Sequence, residues 1–314
     1  MNQVKQKLLL TGATGFLGTA LLSGLDRFEV TVYGRTKPKK IDSTHFIHGD
    51  IGLHCRCISA FKEVDIVIHC AARVHIMHDN SSAPLEDFRE VNTYGTLNLA
   101  QQAADAGVKR FIFISSIKVN GESTELGLPF KSDDNFVPTD PYGLSKYEAE
   151  VGLREIAART GMEVVIIRPP LVYGPGVKAN FASMMKWVNK GIPLPLGSVN
   201  ANKRSLVYLD NLVDLIVTCI DHPNAANQTF LVSDDHDVST TELLREMARG
   251  DERPSRLIPV PVGVMQFAAN LVGKGAVAAR LFGSLQVDIE HTKKVLNWSP
   301  PVSFSEGIRR CFYK

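Results

Sequence analysis

The apolar run Lys7-Leu-Leu-Leu-Thr11 breaks at once into Gly12-Ala-Thr-Gly15-Phe-Leu-Gly18 and continues as Thr19-Ala-Leu-Leu. No other stretch limits the possible folds so strongly. An apolar strand ending in three glycines spaced by threes, with a helical pattern behind it, predicts a buried strand, a tight turn and a helix N-terminus. Gly12 permits the sharp reversal. Gly15 lets backbone N–H groups approach a pyrophosphate, and Gly18 lets the helix lie close on the strand. The helix dipole favours an anion at that point, so the turn reads as a dinucleotide site.

The rest of the chain keeps the rhythm this implies. Val30–Tyr33, His45–His48, Ile66–Cys70, Phe111–Ser115 and Glu163–Arg168 are short β-rich runs bounded by turn or polar residues. Pro84 to Ala106 predicts one long helix stopped by Gly107. Asp140-Pro141 opens another that closes at Gly161. The link from Gly34 to Thr44 is too short and broken for a full crossover helix. Strand and helix alternating in this way predict a parallel sheet covered on both faces, a Rossmann-type doubly wound α/β fold. Beyond Pro169, prolines and glycines break the chain into loops and short helices, which predicts a smaller mixed C-terminal lobe rather than more sheet. The expected division is 1–169 for the dinucleotide and 170–314 for substrate, with segments such as 206–232 able to return to the first domain. Capping boxes at Ser239-x-x-Glu242 and Ser303-x-x-Glu306 predict helix starts in the second half.

Composition mainly excludes. With 314 residues, 44% hydrophobic and 22% charged, the chain is an ordinary globular protein with room for one large or two modest cores. A net charge of +2, spread along the chain, points to neither nucleic acid nor an anionic membrane surface. Five cysteines without framework spacing predict free thiols in a reducing compartment. Cys55-Arg-Cys57, with His45, His48 and His54 nearby, fits no common zinc spacing, so no metal is expected. Lys5 and Lys7 precede only three leucines, which is not a signal-peptide layout, and Ile258 to Leu281 is too interrupted to span a bilayer. A cytoplasmic location follows as the expectation.

Tyr142 and Lys146 lie four apart on the helix after Asp140 and so share one face. An ammonium beside a phenol favours the phenolate and makes tyrosine a usable acid or base. Ser116, at the end of the preceding strand, falls on the carboxyl edge where α/β sheets bind ligands.

These residues, in this order, resemble the extended short-chain dehydrogenase/reductase family of nucleotide-sugar epimerases, dehydratases and reductases. The resemblance spans essentially the whole chain. Thr11-Gly-Ala-Thr-Gly-Phe-Leu-Gly18 is similar to the family's glycine turn, which brings Thr14, Phe16 and Leu17 to the cofactor along with the glycines. His48-Gly-Asp50-Ile51 resembles its adenine-side motif, His69-Cys-Ala71-Ala72 its strand end near the cofactor, and Asn92 its helix asparagine. Pro169 falls in the loop after the sixth strand, also beside the cofactor. The resemblance implies a catalytic triad of Ser116, Tyr142 and Lys146: Tyr142 exchanges a hydroxyl proton, Ser116 holds the oxygen, and Lys146 binds the nicotinamide ribose and tunes Tyr142. It further implies a UDP-sugar substrate held by Asn180, by Arg204 of Arg204-Ser-Leu-Val-Tyr-Leu-Asp210, and by Arg280. Trp298 of Val295-Leu-Asn-Trp-Ser-Pro300 is expected to pack the lobe. A homodimer through the two long helices is expected as well.

Departures from the family pattern narrow the activity. Its dehydratases carry Asp-Glu after the catalytic Ser or Thr; this chain has Ile117-Lys118, which argues against dehydration. At the end of the second strand stands Tyr33-Gly34-Arg35-Thr36, without the carboxylate that usually accepts both ribose hydroxyls of NAD. Arg35 can pair with a 2′-phosphate, so NADP(H) is favoured over NAD(H). That tilts the expected reaction to NADPH-dependent reduction of a UDP-linked 4-keto-6-deoxy-N-acetylhexosamine in surface-polysaccharide synthesis. The alternatives are an NAD-dependent 4-epimerase of UDP-hexoses or UDP-N-acetylhexosamines, and a non-enzymatic dinucleotide sensor. The loop Arg73 to Asp79 is expected to overhang the nicotinamide.

Overall fold

The computed structural model describes residues 5–39, 45–74 and 83–313. Among them are the strands β1 (Lys7–Thr11), β2 (Glu29–Gly34), β3 (His45–His48), β4 (Ile66–His69), β5 (Arg110–Ile114), β6 (Glu163–Arg168), β7 (Leu171–Tyr173), β8 (Leu206–Tyr208) and β9 (Thr229–Leu231). Seven pair in parallel in the order β3-β2-β1-β4-β5-β6-β9, while β7 and β8 pair separately. The order runs outward from β1 in both directions. The carboxyl ends of β1 and β4 therefore border the switch-point crevice where ligands bind in open α/β sheets.

Parallel strands are covered on both faces, so they read as unbroken apolar runs. Leu8, Leu9 and Leu10 are all fully buried. Leu8 and Leu10 join a core with Leu21 of α1 (Phe16–Gly24), whereas Leu9 faces the opposite core. The predicted helix over 84–106 forms as α2 (Pro84–Phe88), a π-helical segment Arg89–Gly95, and α3 (Thr96–Asp105), with Gly107 left-handed at φ +84°. The widened segment lets the helix pass close to the loop after β3: a Cβ on Gly95 would lie 2.8 Å from the Ile51 side chain. Next comes α4 (Pro141–Thr160). The Asp140 carboxylate accepts from the Gly143 N–H at 2.8 Å, and Gly161 stops the helix at φ +78°.

After Arg168 the chain builds α5 (Ala179–Asn189), α6 (Leu209–Asp221), α7 (Thr240–Gly250), α8 (Val262–Leu271), α9 (Gly275–Phe282), α10 (Glu290–Leu296) and α11 (Phe304–Arg310). A third core gathers Tyr173, Phe181, Tyr208, Leu244 and Phe304. The expectation that no sheet follows Pro169 needs correction: β9 adds a seventh strand beside β6. Three residues are too few to show a period. The capping box at Ser239 and Glu242 is complete. At the second, Ser303 accepts from the Glu306 N–H, but the Glu306 carboxylate turns to Arg309 and Arg310. Trp298 is buried, its indole N–H donating to Asp214 at 2.7 Å. Among the described residues no helix is long and apolar enough to cross a membrane, and no group of three or more His, Cys, Asp or Glu side chains is placed to hold a metal.

Candidate active site

Close packing dictates glycine at the first turn. Gly12 is left-handed at φ +72°, and a Cβ there would lie 2.6 Å from the Ala71 backbone nitrogen. A Cβ on Gly18 would lie 2.1 Å from the Gly12 carbonyl oxygen, so α1 touches the turn after β1 backbone to backbone. Thr14 and Gly15 are exposed, with Phe16 and Leu17 half-buried behind them. Gly15 begins α1 in extended geometry, and no side chain caps the helix. The start of α1 thus presents backbone to the crevice, which fits the phosphates of a dinucleotide.

Opposite the turn, β5 ends at Ile114 and delivers Ser116, whose Oγ accepts from the Lys118 N–H at 3.3 Å. Tyr142 stands in the first turn of α4, near enough for Ser116 to pull its phenol downward. The Tyr142 ring packs edge-on against Phe88, centroids 5.8 Å apart. One turn on, Lys146 is 1% exposed and donates from Nζ to the Ile114 carbonyl at 2.9 Å, with Nζ 4.4 Å from the Phe113 ring centroid. Burial pushes the ammonium down to about 8, against the opposing pull of Cys70 and Glu150. Burial also pushes the Tyr142 phenol up to about 12, outweighing the pull of Ser116. Desolvation dominates Tyr142 in this arrangement, and Lys146 Nζ is turned to the end of β5.

Two buried polar residues hold the crevice floor. Asn92, in the π-helical segment, accepts from the Arg73 N–H at 2.8 Å and donates to the Arg73 carbonyl at 3.0 Å and to Ser145 Oγ at 3.1 Å. It ties the strand-end segment Ala71, Ala72 and Arg73 to α4. His69 is fully buried between Thr11 and Thr96, at 2.7 and 3.0 Å, and burial followed by the Lys146 charge pushes it down to about 3. It is a neutral spacer. The overhanging loop expected over 73–79 lies outside the described residues from 75 onward.

Glu150 and Arg168 were not singled out by sequence reasoning, yet they support this edge. Glu150 is fully buried, accepts from Arg168 at 2.9 and 2.6 Å and receives Ser115 Oγ at 2.6 Å. Ser115 is thereby turned to the scaffold and Ser116 is left for the crevice. A signal existed: an arginine closing an apolar strand, and an acid one turn beyond Lys146. Pro169 follows, buried, with its carbonyl accepting from the Ile117 N–H at 3.0 Å. Lys118, where dehydratases carry an acid, pairs with Asp140 at 3.1 Å and Glu122 at 3.0 Å.

At the far end of the crevice, Asp50 and Arg35 are both exposed, with Arg35 Nε 3.7 Å from Asp50 Oδ1. Asp50 also accepts from the Ile51 N–H at 2.8 Å, and Ile51 is buried. A carboxylate from the neighbouring strand end thus partly neutralises the arginine taken as a reader of the 2′-phosphate, and the preference for NADP finds no support.

In the second lobe, Arg204 donates to the Arg280 carbonyl at 2.9 Å and the Gly283 carbonyl at 3.2 Å. Burial, then the neighbouring Arg280 charge, pushes the Arg204 guanidinium down. Two cations from separate segments meet, an arrangement suited to a diphosphate. Asn180 is exposed in the first turn of α5.

The chain is 55% identical to a UDP-glucose 4-epimerase from Vibrio cholerae, over 98% of this chain and 95% of that one. It is 29% identical to an N-acetyl-alpha-D-glucosaminyl-diphospho-ditrans,octacis-undecaprenol 4-epimerase from Escherichia coli O157:H7, over 83% and 78% of the two chains. Its fold matches the structure of UDP-glucuronic acid 4-epimerase from Bacillus cereus in complex with NAD, with a TM-score of 0.78 at 20% identity over 98% and 97% of the chains. The V. cholerae relative overturns the expected 4-keto reductase, an expectation that rested on Arg35, whose charge Asp50 shares. The model of the NAD dependent epimerase/dehydratase family matches residues 8–233, and the chain belongs to that family.

Proposed function

We propose that this protein is a 4-epimerase of UDP-linked hexoses or N-acetylhexosamines that works with NAD held at the glycine turn. The observation that carries the reading is the gathering of Ser116, Tyr142 and Lys146 at the carboxyl end of β5, on the same edge of the parallel sheet where β1 runs into the glycine turn. The name of the V. cholerae relative supports it. In this reading residues 1–169 hold the dinucleotide and 170–314 the nucleotide sugar, and two copies pair through α3 and α4.

Gly12 to Gly18 would hold the pyrophosphate, Asp50 and Ile51 the adenine side, and Ala71, Ala72, Asn92, Lys146 and Pro169 the nicotinamide half. Bound there, the nicotinamide supplies a centre that takes up and returns a hydride. Ser116 holds the sugar hydroxyl oxygen by its own hydroxyl. Tyr142 exchanges that oxygen's proton. Burial favours the phenol form of Tyr142 at neutral pH, so a positive charge brought beside it on cofactor binding would favour the phenolate, and Lys146 would hold the nicotinamide ribose. Arg204 and Arg280 hold the diphosphate and Asn180 the adjoining sugar.

Purified protein incubated with UDP-glucose or UDP-N-acetylglucosamine, without added cofactor, should form the 4-epimer, read by anion-exchange chromatography. Tyr142→Phe should lower turnover by roughly 10²- to 10⁴-fold with its circular dichroism unchanged. Folded wild-type protein that converts neither sugar with NAD supplied would end the reading.

A further inference from the structure

Helix α8 buries none of its residues. Val264, Phe267 and Leu271, spaced i, i+3 and i+7, form one stripe that is 58%, 67% and 73% exposed, and Val272 and the α9 residue Val277 extend it. Such a stripe ordinarily faces a core; an exposed contiguous apolar patch marks a contact surface.

Charge is segregated over the same segment. From Arg253 to Val287 the chain carries Arg253, Arg256, Lys274 and Arg280 and not one Asp or Glu. The balanced charge of the whole chain conceals this. Lys274 stands between the two helices, and Arg280 is exposed at the end of α9, its carbonyl taking the Arg204 guanidinium. Arg253 is paired with Asp251 at 2.9 Å, which leaves Arg256, Lys274 and Arg280 as the cations beside the stripe, and an apolar stripe with such a cationic fringe complements an anionic lipid surface. A second copy is the poorer occupant, because a two-fold contact through this patch would bring like charges together.

We propose that α8 and α9 dock on the headgroup layer of an anionic bilayer, with Phe267 and Leu271 entering the acyl boundary and Lys274 meeting lipid phosphates. This departs from the expectation, drawn from net charge, that nothing points to a membrane surface. At ten residues α8 lies in the interface and does not cross it. The docking stands apart from the epimerase reading.

The test is flotation of the full chain with vesicles of equal parts phosphatidylcholine and phosphatidylglycerol, and with phosphatidylcholine alone. Wild type should float with the mixed vesicles, less so in ~1 M salt, and poorly with phosphatidylcholine alone. Phe267→Ser with Leu271→Ser should keep the wild-type circular dichroism and lower partitioning roughly a hundredfold. Lys274→Gln should lower it about fivefold. Wild type that stays unbound to the mixed vesicles at low salt overturns the proposal, as does a double variant that floats like wild type. A double variant that halves the mass seen in light scattering, while wild type does not float, assigns the patch to a second copy and overturns it equally.

Discussion

Arg168 grips Glu150 with two nitrogens, Nε at 2.9 Å and Nη2 at 2.6 Å, where neither side chain is more than 5% exposed. The pair joins the end of β6 to α4, and through Ser115 to the end of β5, the elements that carry Pro169, Lys146 and Ser116. Arg154 adds a third contact to the carboxylate at 3.0 Å, and Arg168 Nη1 reaches Asn120 at 3.0 Å. Removing one buried partner strands the other charge. Arg168→Met should therefore cost about 3–5 kcal/mol in urea unfolding, and Glu150→Leu added to it should restore most of that. A double variant as unstable as the single would show that the fold needs the polar network itself.

Lys146 makes stability depend on pH. Burial lowers its folded-state value to about 8 from 10.5, so between these the unfolded chain binds more protons and stability rises with pH. Below 8 the full cost of burying the charge is present. Relative to Lys146→Met, wild type should gain up to about 3 kcal/mol as pH rises through this window, measured by urea titration at a series of pH values. A flat difference would place the ammonium in a better-solvated setting.

Gly18→Ala tests the glycine turn. The added Cβ would meet the Gly12 carbonyl oxygen at 2.1 Å and Ala13 Cα at 2.8 Å, both backbone atoms that move only if α1 lifts from the turn after β1. A loss of about 1–3 kcal/mol is expected, together with at least roughly tenfold weaker NAD binding by fluorescence titration. Gly34→Ala is the control, since nothing lies within 4 Å of its added Cβ.

Arg204 and Arg280 repel each other, and an anion between them relieves that repulsion. Either arginine changed to Ala should weaken UDP binding about 10- to 100-fold by calorimetry, as befits a charged hydrogen bond. Unchanged affinity in both variants would move the diphosphate elsewhere.

Sequence alone determined what adjacent residues dictate. Three glycines spaced by threes mark a turn in which Gly12 and Gly18 leave no room for a side chain, Asp140-Pro141 and Gly161 bound α4 by capping chemistry and left-handed φ, and a spacing of four puts Tyr142 and Lys146 on one face. Other features arise from strand order and burial, which no local pattern records. Thr229–Leu231 becomes a strand because β6 offers an open edge, and Arg35 meets Asp50 because β2 and β3 lie side by side. Glu150 receives Arg168, eighteen positions away, because α4 packs over the end of β6. Only tertiary structure decided the state of Tyr142 and Lys146, because desolvation depends on everything packed around a group, whereas spacing fixes only which neighbour it can reach.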